Sequence, residues 1–177
     1  IDIDIMDEEV SNRMLAKVRE MLPGAPMRVG KHPKKLLLYK TEKPFKKIRS
    51  STYEDIFGDQ HAVEVLGDGQ QYVAYAEHPD TQSPYSWHGD GNGSPPGIFE
   101  IKAASLPSIT LDDAREVVAF FEKIAYEKVA TGEWEKIKDG TEGSQTENEG
   151  AEDFGCFEYL RPPLGLSDQD IQKALAS

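Results

Sequence analysis

Ile1-Asp2-Ile3-Asp4-Ile5 opens the chain and decides how the rest is read. At the period of two that a strand imposes, the three isoleucines fall on one face and Asp2 and Asp4 on the other. A strand that only had to be half buried could carry Thr, Ser or Lys on its open side. Two carboxylates about 7 Å apart repel, and more strongly when partly buried, so a cation is expected near them.

Working outward, Asp7 is placed to cap a helix, with Glu8 and Glu9 suited to its dipole. Val10, Met14, Val18 and Met21 recur at helical spacing and predict an amphipathic helix over 8–22. Pro23 and Gly24 end it. A strand is expected over 27–30, followed by the basic turn Lys31-His32-Pro33-Lys34-Lys35 and the apolar run Leu36-Leu37-Leu38-Tyr39, a strand buried on both faces. Another strand is expected over 45–53. Ala62-Val63-Glu64-Val65-Leu66 reads as the next, with one carboxylate inside it. Gly67-Asp68-Gly69 reads as a hairpin turn, with 70–75 running back. Residues 77–87 form a polar, aromatic loop leading into the Gly-rich stretch 89–97. Thr110 and Asp113 look like a capping box for a helix ending near Val129. Strand, helix, several strands and helix in that order predict an α+β or mixed α/β fold with helices packed on one side of the sheet.

The 177 residues suffice for one domain with a substantial core. No run is long and apolar enough to suggest a membrane span. The single cysteine, Cys156, excludes an intrachain disulfide framework and a cysteine-based zinc cluster, and points to a reducing, cytoplasmic setting. The net charge of −12 hides a division. Nine of the 20 Lys and Arg lie between Arg28 and Arg49, with one acid, Glu42, among them; eight carboxylates crowd Glu133 to Asp153. A basic segment able to follow phosphates is therefore separate from an acidic tail. The domain is expected over 1–130, an acidic, Gly-rich loop or linker over 131–165, and the start of a following helix over 166–177. Because it starts inside a strand and stops just after a helix begins, the chain reads as an excerpt of a longer polypeptide.

Asp2, Asp4 and Glu64 can converge only if their strands are neighbours. Converged, their hard oxygens suit one or two Mg²⁺ or Mn²⁺ ions, which leave positions free for substrate phosphates. Beside them the turn from Arg28 to Lys35 could cradle phosphates, and His78, Tyr85 and Trp87 offer a donor and flat faces to a sugar or base.

Taken together, Asp2-Ile3-Asp4, the block Arg28-Val29-Gly30 with Pro33-Lys34-Lys35-Leu36-Leu37-Leu38-Tyr39, the block from Val63 to Tyr75, and His78-Pro79-Asp80-Thr81 with Pro84-Tyr85 and Trp87 resemble the bifunctional DNA primase/polymerase (Prim-Pol) domain of the archaeo-eukaryotic primase superfamily, common in phage, prophage and plasmid replication proteins. The resemblance spans 1–129. It implies an RRM-like catalytic core, template-directed nucleotidyl transfer, a DNA template and primer, nucleoside triphosphates, and two Mg²⁺ or Mn²⁺ ions held by Asp2, Asp4 and Glu64. It implies nucleotide contacts from Arg28, His32, Lys34, Lys35, Gln71, His78 and Tyr85. The chain departs from the family pattern at Lys35, where a histidine is usual, and at Glu64, where many members carry Asp. A strand and helix that normally precede the first motif are absent; residues 166–177 resemble the start of the primase C-terminal helical domain, and a helicase commonly follows it. A two-metal nuclease would need the same acids, and a non-catalytic nucleic-acid-binding module would need only the basic segment.

Overall fold

The computed structural model of the chain describes residues 1–89 and 100–143. Their architecture is α+β: two helices and nine strands, all paired antiparallel. The opening strand, β1 (Asp2–Asp4), leads into α1 (Glu8–Met21), β2 (Met27–Val29) and β3 (Lys35–Leu37). Then come β4 (Ile48–Arg49), β5 (Thr52–Asp55), β6 (Gln60–Val65) and β7 (Ser86–His88), followed by α2 (Leu111–Ala130), β8 (Trp134–Lys138) and β9 (Thr141–Glu142). The main sheet runs β7-β2-β3-β1-β6-β4-β9, and β5 joins β6 to β8.

The isoleucine face of β1 is the core. Ile1, Ile3 and Ile5 are buried with Met27, Leu37, Val63 and Val65 from neighbouring strands. Both helices lay their apolar stripes on this same face: Val10, Met14 and Val18 from α1, and Ala114, Val117, Phe121, Ile124 and Ala125 from α2. Local chemistry fixes where they begin. The Asp7 carboxylate accepts the Val10 N–H at 3.0 Å, and Thr110 with Asp113 completes the expected capping box. Leu36 and Leu37 are buried on opposite faces of β3, as the apolar run required. With both helices on one side, no helix among the described residues covers the carboxylate side of the sheet.

Three expectations are corrected. The stretch 45–53 is not one strand: Ser50 Oγ bonds the Ser51 carbonyl at 2.8 Å and accepts the Val63 N–H at 2.9 Å, making a jog. Before the jog β4 pairs β9; after it β5 pairs β8. Residues 70–75 do not run back as a strand. Their carbonyls are claimed by side chains instead, Val73 by Arg28 and Ala74 by the Trp87 indole at 2.9 Å. The beginning of the acidic segment is also structured. In β8, Trp134 is 5% exposed, stacked 4.2 Å from His61 and packed beside Tyr53 and Phe121. The expected Gly-rich stretch 89–97 beyond residue 89, the remainder of the acidic linker and the helix over 166–177 lie outside the described residues. Among the described residues no helix is long and apolar enough to cross a membrane.

Lys35 is the other departure. Its register partner on β1 is Ile3, so its side chain leaves the sheet on the helix side. There its ammonium donates to Ser11 Oγ (2.8 Å), Asn12 Oδ1 (3.1 Å) and the Pro33 carbonyl (3.0 Å). Burial lowers its pKa below the ordinary lysine value. The expected nucleotide contact from Lys35 is not supported by this geometry; the residue fastens the basic turn to α1. Lys35→Ala is expected to cost about 3 kcal/mol in urea unfolding, because it strips buried acceptors of their donor and leaves a void.

Candidate active site on the open sheet face

Register places six neighbouring side chains in one line across the open face. Trp87 of β7 pairs Arg28 of β2, which pairs Leu36 of β3; Leu36 pairs Asp2, Asp2 pairs Glu64, and Glu64 pairs Arg49 of β4. Asp4 stands two residues along β1 from Asp2 on the same face, opposite Ala62. The strands bearing the three acids are thus direct neighbours, and directly opposed residues in such a pair have Cβ atoms about 5 Å apart.

The electrostatics follow from that crowding. Burial, then the neighbouring Asp4, push the Asp2 carboxyl up to about 6; Glu64 adds to the rise, while Arg28 opposes it. Asp2 makes no ion pair among the described residues. The other two acids are held by cations. Lys34 Nζ sits 2.5 Å from Asp4 Oδ1. Glu64 receives Arg49 Nε at 2.6 Å on one oxygen and Lys47 Nζ at 3.0 Å on the other. Lys47 and Arg49 alternate with the buried Ile48 just as Asp2 and Asp4 alternate with Ile3. Sequence reading had them only as part of a basic run; that alternation was the signal for their face.

At the other end of the line, the Arg28 guanidinium donates to the Val73 carbonyl and lies 4.5 Å over the Tyr85 ring, and its buried Nε has no hydrogen-bond partner among the described residues. Tyr85 in turn packs 5.4 Å from His78. Gly30 is required there, since a Cβ would stand 2.1 Å from the Tyr85 ring and 2.8 Å from His78. Loop 76–85 is closed by the Tyr85 N–H to the Ala76 carbonyl (3.0 Å) and pinned to the basic turn by Lys31 and Asp80 at 3.0 Å.

The expected site residues therefore divide. Asp2, Asp4, Glu64, Arg28 and Lys34 share the open face, with Tyr85 and His78 stacked beside Arg28. His32 is exposed and lies 3.7 Å from Glu8 at the start of α1, Gln71 is exposed on the irregular segment 70–75, and Lys35 is on the far side of the sheet.

The acids fit a divalent ion in donor chemistry and lie on adjacent strands, with Asp2 between Asp4 and Glu64. Their tips, however, are drawn apart onto Lys34, Lys47 and Arg49, and among the described residues no three His, Cys, Asp or Glu side chains converge to hold a metal. Comparison with family models, with curated proteins and with solved structures finds no match.

Proposed function

We propose that this chain is a primase-polymerase catalytic domain with an RRM-like core, joining nucleoside triphosphates on a DNA template and primer during phage-type or plasmid-type replication in the bacterial or infected-cell cytoplasm. The observation that carries the reading is the line Arg28, Leu36, Asp2, Glu64, Arg49: opposed carboxylates flanked on both sides by guanidinium groups, on a sheet face that no helix among the described residues covers. Asp2, Asp4 and Glu64 are the residues that would hold Mg²⁺ or Mn²⁺. When bound, the ions would polarise the attacking hydroxyl and offset charge on the departing pyrophosphate.

The protein's own side chains supply the rest. Arg28 and Lys34 meet the triphosphate from either side of the acids, Arg28 with an N–H that has no acceptor among the described residues. Tyr85 and His78 form a flat wall beside Arg28 for the sugar or base. Lys40 and Lys43, both exposed, extend positive charge toward a template backbone, and a helicase fused or associated in the full-length protein would supply single strands.

The test is a labelled primer-template incubated with dNTPs and Mn²⁺. Stepwise lengthening that requires both supports the reading. Shortening without triphosphates would assign a two-metal nuclease, and salt-sensitive binding indifferent to Mn²⁺ would assign a non-catalytic nucleic-acid-binding module. Because Asp2 takes a proton near pH 6, Mn²⁺-dependent incorporation is expected to fall up to ~10-fold for each pH step of one below that value, measured as initial rates at constant ionic strength.

A further inference from the structure

Both oxygens of Glu64 are already occupied, one by Arg49 and one by Lys47. Asp4 is likewise taken by Lys34. A divalent ion shared between Asp2 and Glu64 would therefore compete with internal cations for the charge of oxygens they already hold. We propose that Lys47 and Arg49 are resident place-holders on Glu64, exchanged for the divalent ion, and that the Arg49 guanidinium so released takes a phosphate oxygen of the substrate.

This inference rests on the metal-dependent reading above and adds to it an exchange between residues of this chain. Three observations carry it. The two cations already neutralise Glu64, one on each oxygen, so a metal there competes with both. Among the described residues, the buried Arg49 Nη1 has no hydrogen-bond partner, a donor held on this face without an acceptor. Arg49 and Lys47 also differ in what release entails: the Lys47 side chain is 32% exposed and returns to water, whereas that of Arg49 is 20% exposed and stays beside the acids. The exchange lowers apparent metal affinity by the strength of the displaced pairs. By linkage it ties metal entry to phosphate capture.

The experiment is calorimetric titration of MnCl₂ into the whole chain at pH 7.5, comparing wild type with Lys47→Met and Arg49→Met. Lys46→Met serves as a control, since Lys46 pairs with Asp68 rather than with an acid of the line. The expected result is ~10-fold tighter Mn²⁺ binding in Lys47→Met and Arg49→Met, with Lys46→Met within about twofold of wild type. At saturating Mn²⁺, Arg49→Met should then bind inorganic tripolyphosphate ~10-fold more weakly than wild type, and Lys47→Met should not. Metal binding in wild type that is unchanged or weakened in both variants overturns the exchange while leaving the metal reading standing. Tighter Mn²⁺ with unchanged tripolyphosphate binding in Arg49→Met overturns the hand-over. Absence of Mn²⁺ binding in all four proteins overturns both the exchange and the metal reading. Should Arg49→Met fail to fold, Lys47→Met alone decides the exchange, and Arg49→Lys, which keeps the charge but loses the fork, decides the hand-over by the same tripolyphosphate measurement.

Discussion

Glu64→Gln is expected to lower Mn²⁺-dependent nucleotide incorporation at least ~10³-fold, equivalent to about 4 kcal/mol in the transition state, while the chain still folds. The amide keeps the shape of Glu64 and one acceptor for Arg49 but removes the charge that a divalent ion requires. The sheet does not depend on that charge, because β6 is held by its ladders to β1, β4 and β5 and by Val63 and Val65 in the core. Asp4→Ala is expected to give a loss of the same order, since Asp4 is the second acid of the same face and half of its side chain is exposed. Initial rates on a primer-template, with circular dichroism to establish folding, check both. Activity within tenfold of wild type in the two variants would remove the acids from the chemistry.

Asp2→Asn is expected to do two opposite things: abolish incorporation and raise stability. The carboxyl of Asp2 is lifted from the ordinary 3.8 to about 6, so ionising it at neutral pH works against the fold. At ~1.4 kcal/mol for each tenfold change in acidity, the rise corresponds to up to about 3 kcal/mol. The sign follows from the direction of the shift. The folded state holds its proton more tightly than the unfolded state, so the penalty is absent well below 3.8, grows between 3.8 and 6, and is complete above 6. Asp2→Asn should therefore melt higher than wild type at pH 7.5, by roughly 6–10 °C for a domain of this size, and the gap should narrow toward pH 4.5. Scanning calorimetry of the two proteins at both pH values decides it. A variant less stable than wild type at pH 7.5 would mean that Asp2 contributes to the fold rather than straining it, as functional residues often do.

What could be read in the residues was whatever obeyed a local period. The alternation in 1–5, the helical spacing of Val10, Met14 and Val18, and the Thr110–Asp113 cap each specify an element with reference only to near neighbours, and each formed where expected. The adjacency of β1 and β6, on which the site depends, was posed as a condition; the register of Asp2 with Glu64 meets it. The misses came from partners distant in sequence. Residues 70–75 have a strand-like pattern, yet Arg28 and Trp87 claim their carbonyls from across the fold. Trp134 sits in a polar stretch, yet its packing on His61, Tyr53 and Phe121 and the ladder to β5 set β8. Lys35 lies in a basic run whose composition points to phosphate, but its place one step along the pleat from Leu36 turns it toward α1.

His61 carries a wider implication. It is fully buried, its Nδ1 accepts the Met6 N–H at 3.1 Å just past β1, and it belongs to β6, the strand of Glu64. The two acid-bearing strands are thereby stitched together beyond the end of their own ladder, by a contact inside the core. Loop 76–85 is tied to the basic turn chiefly by exposed contacts such as Lys31 with Asp80. Spacing between the acids is thus a property of the scaffold, while the surface that meets the nucleotide's outer parts can be rebuilt residue by residue. A redesign aimed at a different sugar or base should leave residues 1–6, Gly30 and 60–65 untouched and explore 31–34 and 76–85.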